Sequence, residues 1–115
     1  MISRRGLIAG AACALAAPRL SFASTAAPKR IVAIGAPITE ILFGLGCGEH
    51  IVAVDAASRY PRAARHKADA GYHEDLSAEA LLALAPDLVV TGQRAGPPQA
   101  MEALAAASVK VVSLK

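Results

Sequence analysis

The side chains with chemistry to offer gather in one stretch, Gly71-Tyr72-His73-Glu74-Asp75-Leu76-Ser77-Ala78-Glu79, which holds one of only two tyrosines in the chain. A phenol, an imidazole and three carboxylates fall within eight residues. They sit just before an apolar run, Leu81 to Leu84, that reads as a buried helix. Phenol, imidazole and carboxylate side chains all carry hydrogen-bonding and ligating atoms, so the stretch is the first candidate for a binding site. Adjacent side chains on an extended segment point oppositely, so Tyr72 and His73 do not both face one point. His50 and His66 read as solvated, and no two histidines have the spacing of a metal pair on one helix.

Catalytic signatures are missing from the sequence. Gly44-Leu45-Gly46-Cys47-Gly48 closes a helix instead of opening one, so it is not a phosphate loop. No G-x-S-x-G elbow is present. An enzyme is not expected.

Several elements must position the Tyr72 stretch. Arg30-Ile31-Val32-Ala33-Ile34 reads as a buried strand ended by Gly35. Pro37 to Leu45 reads as a helix with Ile38, Ile41, Leu42 and Leu45 on one face and Gly46 as its stop. Ile51 to Val54 is a second strand. Residues 55–76 show no sustained period, apart from a short helical turn expected over Pro61 to His66, and a connection of that length is more often functional than idle. Ser77 is a good N-cap for a helix over Ala78 to Ala85 that Pro86 ends. Asp87 to Thr91 is a third strand, and Gln99 to Ala107 a helix with Met101, Leu104 and Ala105 on one face. Lys110 to Leu114 is a fourth strand. Short continuous apolar strands alternating with helices predict an α/β fold, an open, mostly parallel sheet with helices on both faces. Ligands of such sheets collect outside the carboxyl ends of the strands. That edge gathers Gly35 to Pro37, Asp55 to Tyr60 and Thr91 to Arg94, with the Tyr72 loop in reach.

The N-terminal segment has a different character. Ser3-Arg4-Arg5 is basic, Gly6 to Ala17 is uncharged and apolar, and Ser21-Phe22-Ala23 offers small residues to a signal peptidase. Residues 1–23 therefore read as a signal peptide using the twin-arginine or the general secretory route, and residues 24–115 as the mature domain. The apolar run is too short to span a bilayer, so no membrane insertion is expected after cleavage. Removing the leader leaves nine Lys and Arg against nine Asp and Glu. The high isoelectric point thus belongs to the leader, and nucleic acid is not an expected partner. Cys47 alone remains, unable to form an internal disulfide and expected to be a small buried apolar residue.

The sequence resembles the opening of periplasmic substrate-binding proteins of iron-siderophore, cobalamin and haem importers. Arg30 to Gly35, Thr39-Glu40-Ile41, Gly44-Leu45-Gly46, Asp55 to Pro61 and Leu84 to Val89 carry this resemblance across the mature stretch. A narrower resemblance, to haemin-binding proteins, rests on Gly71-Tyr72, Leu76 to Glu79 and Gly96-Pro97-Pro98. The resemblance implies a two-lobed protein with ligand held between lobes joined by a long helix, of which this chain is the N-terminal lobe only, either truncated or a gene fragment. It implies haem binding in the periplasm and delivery to an ABC importer, with a cobalamin, a ferric siderophore or a non-functional fragment as alternatives. Tyr72 matches the tyrosine that ligates ferric haem iron in relatives. The position two residues on, often arginine there, is Glu74 here. His73 offers an imidazole to the iron instead. Tyr60 and Arg94 are candidates to flank the porphyrin and its propionates, since arginine pairs well with carboxylates. Glu79 matches the acidic residue that relatives present to an arginine of the transport permease, and it also suits the first turn of a helix.

Overall fold

The computed structural model describes residues 27–115. The leader expected over residues 1–23 lies outside the described residues. Five strands form one wholly parallel sheet in the order β3-β2-β1-β4-β5: β1 (Ile31–Ile34), β2 (Ile51–Val54), β3 (Ala68–Asp69), β4 (Leu88–Gly92) and β5 (Lys110–Leu114). Three helices connect them, α1 (Ala36–Gly44), α2 (Ala78–Ala83) and α3 (Pro98–Ala106), with 3-10 turns at Gly48–His50 and Arg62–His66.

Every residue of β1 is buried, because helices cover both faces of the sheet. Ile31 and Ala33 pack with Ile38 and Leu42 of α1 on one face, while Val32 and Ile34 pack with Leu81 of α2 and Leu104 of α3 on the other. This two-sided burial is why the strands read as unbroken apolar runs. A bulge interrupts the β1–β2 pairing, where Ile31 faces Ile51 but Val32 faces Ala53. The extra residue, Val52, packs with Ala53 on the α2/α3 face, so β2 presents two consecutive side chains to one cluster.

The strand entering the sheet also closes a helix. The Arg30 guanidinium donates to the carbonyls of Leu84 (2.7 and 3.0 Å) and Ala85 (3.2 Å) at the C-terminus of α2, where a cation suits the helix dipole. The Asp87 carboxylate accepts from the backbone N–H groups of Lys29 and Arg30, fixing β1 against the start of β4.

Several sequence expectations need correction. The segment 55–76 contains an edge strand, β3, whose two residues carry too little pattern to be seen in the sequence. Ile41 and Leu45 do not share the buried face of α1. They are 54% and 72% exposed, and Phe43 packs against the core beside Leu42 instead, because α1 meets the sheet along a narrower stripe than its composition suggests. On α3, Ala100 is buried with Leu104, and Ala105 is exposed. Helix α2 also ends at Ala83, with Ala85 at positive φ and Pro86 after it. Cys47 is half-buried beside α1.

Candidate functional site

The carboxyl ends of the strands deliver four loops to one edge of the sheet. Between them lies an open cleft of about 500 Å³, walled by Gly35 to Pro37, Asp55, His73 and Gln93 to Ala95. Its floor is held by a buried polar network. The Asp55 Oδ1 accepts from the backbone N–H of Gly35 (3.0 Å) and from the hydroxyl of Ser58. Because the Ser58 proton is committed to Asp55, the hydroxyl of Thr39, 2.7 Å away, must donate to Ser58. Thr39, Asp55 and Ser58 are each at most 3% exposed. The network thus ties α1, the end of β1 and the loop after β2 into one unit. Among the described residues Asp55 Oδ2 has no hydrogen-bond partner. Gly35 itself sits at φ +115°, a backbone conformation natural to glycine.

The Tyr72 loop is pinned at three points. Ala56 N–H donates to the Gly71 carbonyl (2.8 Å), Gly96 N–H to that of His73 (2.9 Å), and Leu76 N–H to that of Gly96 (2.9 Å). Gly71 turns the chain at φ +89°, its N–H bound to the Asp69 carboxylate (2.7 Å). The backbone on either side of Tyr72 is therefore fixed to two neighbouring loops. Its phenol is 73% exposed at the rim and takes no part in the cleft wall. The next residue, His73, does line the wall, with its Nε2 3.2 Å from Glu74 Oε1. That pair is solvent-exposed on the Glu74 side and worth at most about 1 kcal/mol.

Of the remaining residues singled out in the sequence, Arg94 lines the cleft and Tyr60, 69% exposed, stands outside its wall. Glu79 is exposed in the first turn of α2, apart from the cleft, where Ser77 caps the helix by accepting from Ala80 N–H (3.2 Å). The structure thus brings Arg94 and His73 together and leaves Tyr60, Tyr72 and Glu79 at the surface. Thr39, Asp55 and Ser58 stood among the family-like segments, but their sequence gave them no role. The one signal was a carboxylate directly after a buried strand.

Chemically the cleft offers donors: the guanidinium of Arg94, the imidazole of His73 and the amide of Gln93. The hydroxyls nearby, on Thr39, Ser58 and Thr91, are buried out of a substrate's reach. Among the described residues no group of three His, Cys, Asp or Glu side chains could hold a free metal ion, and no helix is long and apolar enough to cross a membrane.

Residues 31–115 match the family model described as periplasmic binding protein. The chain belongs to that family. A vitamin B12-binding protein of Pectobacterium carotovorum is 32% identical over 102 residues, covering 89% of this chain and 37% of that protein. The solved periplasmic heme-binding protein of Pseudomonas aeruginosa superposes with a TM-score of 0.74 at 35% identity, over 76% of this chain and 32% of the other. The periplasmic heme-binding protein RhuT from Roseiflexus sp. RS-1, in apo form, gives 0.72 at 40% identity, over 76% and 34%. The chain therefore spans about a third of the length of these periplasmic binding proteins. Its α/β architecture is the fold those matches share.

Proposed function

We propose that the chain is the N-terminal lobe of a haem-binding protein that captures haem in the periplasm, after export by the leader at residues 1–23, and passes it to an ABC importer. The observation that carries this reading is Tyr72, an exposed phenol on a backbone pinned from both sides, whose chain neighbour His73 lines the donor-bearing cleft. A porphyrin already fills four positions on iron, so a single side chain suffices as axial ligand and no cluster of metal-binding residues is required. Tyr72 gives its phenolate to ferric iron. Arg94 pairs with a propionate, and Tyr60 flanks the macrocycle. Glu79, standing clear of the cleft, meets an arginine of the permease. No reacting nucleophile has a part in this, and the role is binding rather than catalysis.

A cobalamin is the second reading, favoured by the similarity to a vitamin B12-binding protein over most of the chain. A ferric siderophore is the third member of the same transport class. The test is a haemin titration followed by visible absorption, with cobalamin and a ferric siderophore as competitors and Tyr72→Phe alongside. A saturable, oxygen-ligated high-spin ferric spectrum lost in the variant supports the haem reading. Displacement of haemin by cobalamin at lower concentration overturns it.

A further inference from the structure

The sheet has two edges, and they are finished differently. At the β3 edge only two residues pair, Ala68 with Ala53 and Asp69 with Val54, and the chain then turns away at Gly71, whose N–H is bound by the Asp69 carboxylate. An edge that short, carrying a charge, offers little to another strand. At the β5 edge all five residues, Lys110 to Leu114, pair in unbroken register with Leu88 to Gly92. β5 contains no proline and no bulge, and among the described residues no strand lies beyond it, so its outward N–H and C=O groups have no ladder partner. Between Lys110 and Lys115 its side chains are uncharged, with Val111 and Val112 half-buried and Leu114 exposed. On the face that α1 covers further in, Leu88, Lys110 and Val112 wall an open recess of about 480 Å³ together with Ala27 to Lys29 and Asp87. A flat apolar edge of this kind is a template for another strand.

The charge pattern decides how a second copy fits. Laid parallel and in register, two β5 strands set Lys110 on Lys110 and Lys115 on Lys115, and like charges directly opposite oppose pairing. Laid antiparallel about a two-fold axis at Val112, they set Lys110 against Leu114, Val111 against Ser113, Lys115 against Val109, and Val112 against its own copy. No lysine then meets a lysine, and the stem of Lys110 lies along Leu114. Residues directly opposite in an antiparallel pair share a face, so the two Val112 side chains touch and each copy closes the open side of the other's recess. Each copy gives the contacts it receives, as a two-fold dimer requires. We propose that β5 is a homodimer interface: an antiparallel β5–β5 pair joins two copies of this chain, two five-stranded sheets becoming one continuous sheet. The paired length is about 17 Å, at about 3.4 Å per residue, which makes a small interface and hence a dimer that forms reversibly with concentration. It does not depend on which ligand the cleft holds.

The experiment is analytical ultracentrifugation of the full chain over a range of concentrations, with Val112→Lys, Val112→Glu and an equimolar mixture of the two variants. The mass of the unaltered chain should rise from one copy toward two and stop there, because the pair uses up the β5 edge. Each variant alone should associate about fivefold or more weakly, since like charges then face each other across the axis. The mixture should recover association, since lysine then faces glutamate. A monomer at every concentration, growth beyond two copies, association unchanged in the variants, or no recovery in the mixture overturns the interface. Association through the leader or another surface is untouched by the variants and so counts among the overturning results. Should the variants fail to fold, amide hydrogen exchange of the unaltered chain decides. Protection of the β5 amides that rises with concentration, with β3 unchanged, supports the pair, and β5 protection independent of concentration overturns it.

Discussion

Asp55 and Tyr72 are near neighbours through one backbone hydrogen bond, from the N–H of Ala56 to the carbonyl of Gly71. Yet Asp55 is 2% exposed and Tyr72 73%. The first belongs to the cleft floor, where every side-chain contact serves the fold, and the second to the rim, where the backbone is held and the side chain is left to solvent. The difference teaches that here a polar side chain built deeply into the structure and a phenol left free to solvent lie one backbone hydrogen bond apart. Substitutions in the floor should act on stability, and those at the rim on binding.

The sharpest way to break that division is Asp55→Ala. It leaves the part-buried Gly35 N–H and the buried Ser58 hydroxyl without their acceptor, and at about 1–3 kcal/mol for each group so stranded the chain should lose about 2–6 kcal/mol of stability, read from the denaturant midpoint. A loss below 1 kcal/mol would show that the floor does not hold the loops. Gly35→Ala forces a side chain into φ +115° and brings its Cβ to 3.4 Å from Ile38. A cost of about 1–3 kcal/mol is expected in the same measurement. Ser77→Ala removes the cap of α2 and should cost about 1 kcal/mol, with a matching loss of helical circular dichroism. At the rim the sign of the comparison reverses. Tyr72→Phe should change stability by less than about 0.5 kcal/mol, as expected of an exposed position, while abolishing the oxygen-ligated ferric spectrum that the haem ligation proposed above would give. Glu79→Gln should be the mildest of all in the isolated chain, within about 0.5 kcal/mol, and on the docking role proposed for Glu79 its effect should appear only when permease ATPase activity is measured. If Tyr72→Phe lowers stability as much as Ser77→Ala, the rim is structural after all.

How far the sequence carried differs from residue to residue. The β-branched runs at Ile31–Ile34 and Leu88–Thr91 announced a parallel sheet because both their faces are buried, and burial on both faces leaves no polar alternation. Pro37, Ser77 and Pro86 marked helix boundaries to within a residue or two, since a missing N–H and a capping hydroxyl act locally. β3 was not legible: two residues have no period, and their strand character comes wholly from pairing with Ala53 and Val54. The outward turn of Ile41 and Leu45 was equally hidden, because which stripe of α1 meets the sheet depends on the angle of docking. In the site, Tyr72 stood out by its rarity. That His73 enters the cleft wall while Tyr72 does not follows from the hydrogen bonds to Ala56 and Gly96, which lie 16 and 24 residues from Tyr72 along the chain.

Hydrophobic period, capping and proline act over a few residues and need no partner, so the α/β class, the order of the three helices and the four longer strands, and the carboxyl edge where their loops gather could be read along the chain. Only packing across the chain set the Thr39–Ser58–Asp55 network and left one Asp55 oxygen without a partner among the described residues. Those depend on segments brought together only when the sheet closes. Whether a polar side chain ends buried and bonded or exposed and free is then set by its neighbours across the chain rather than along it.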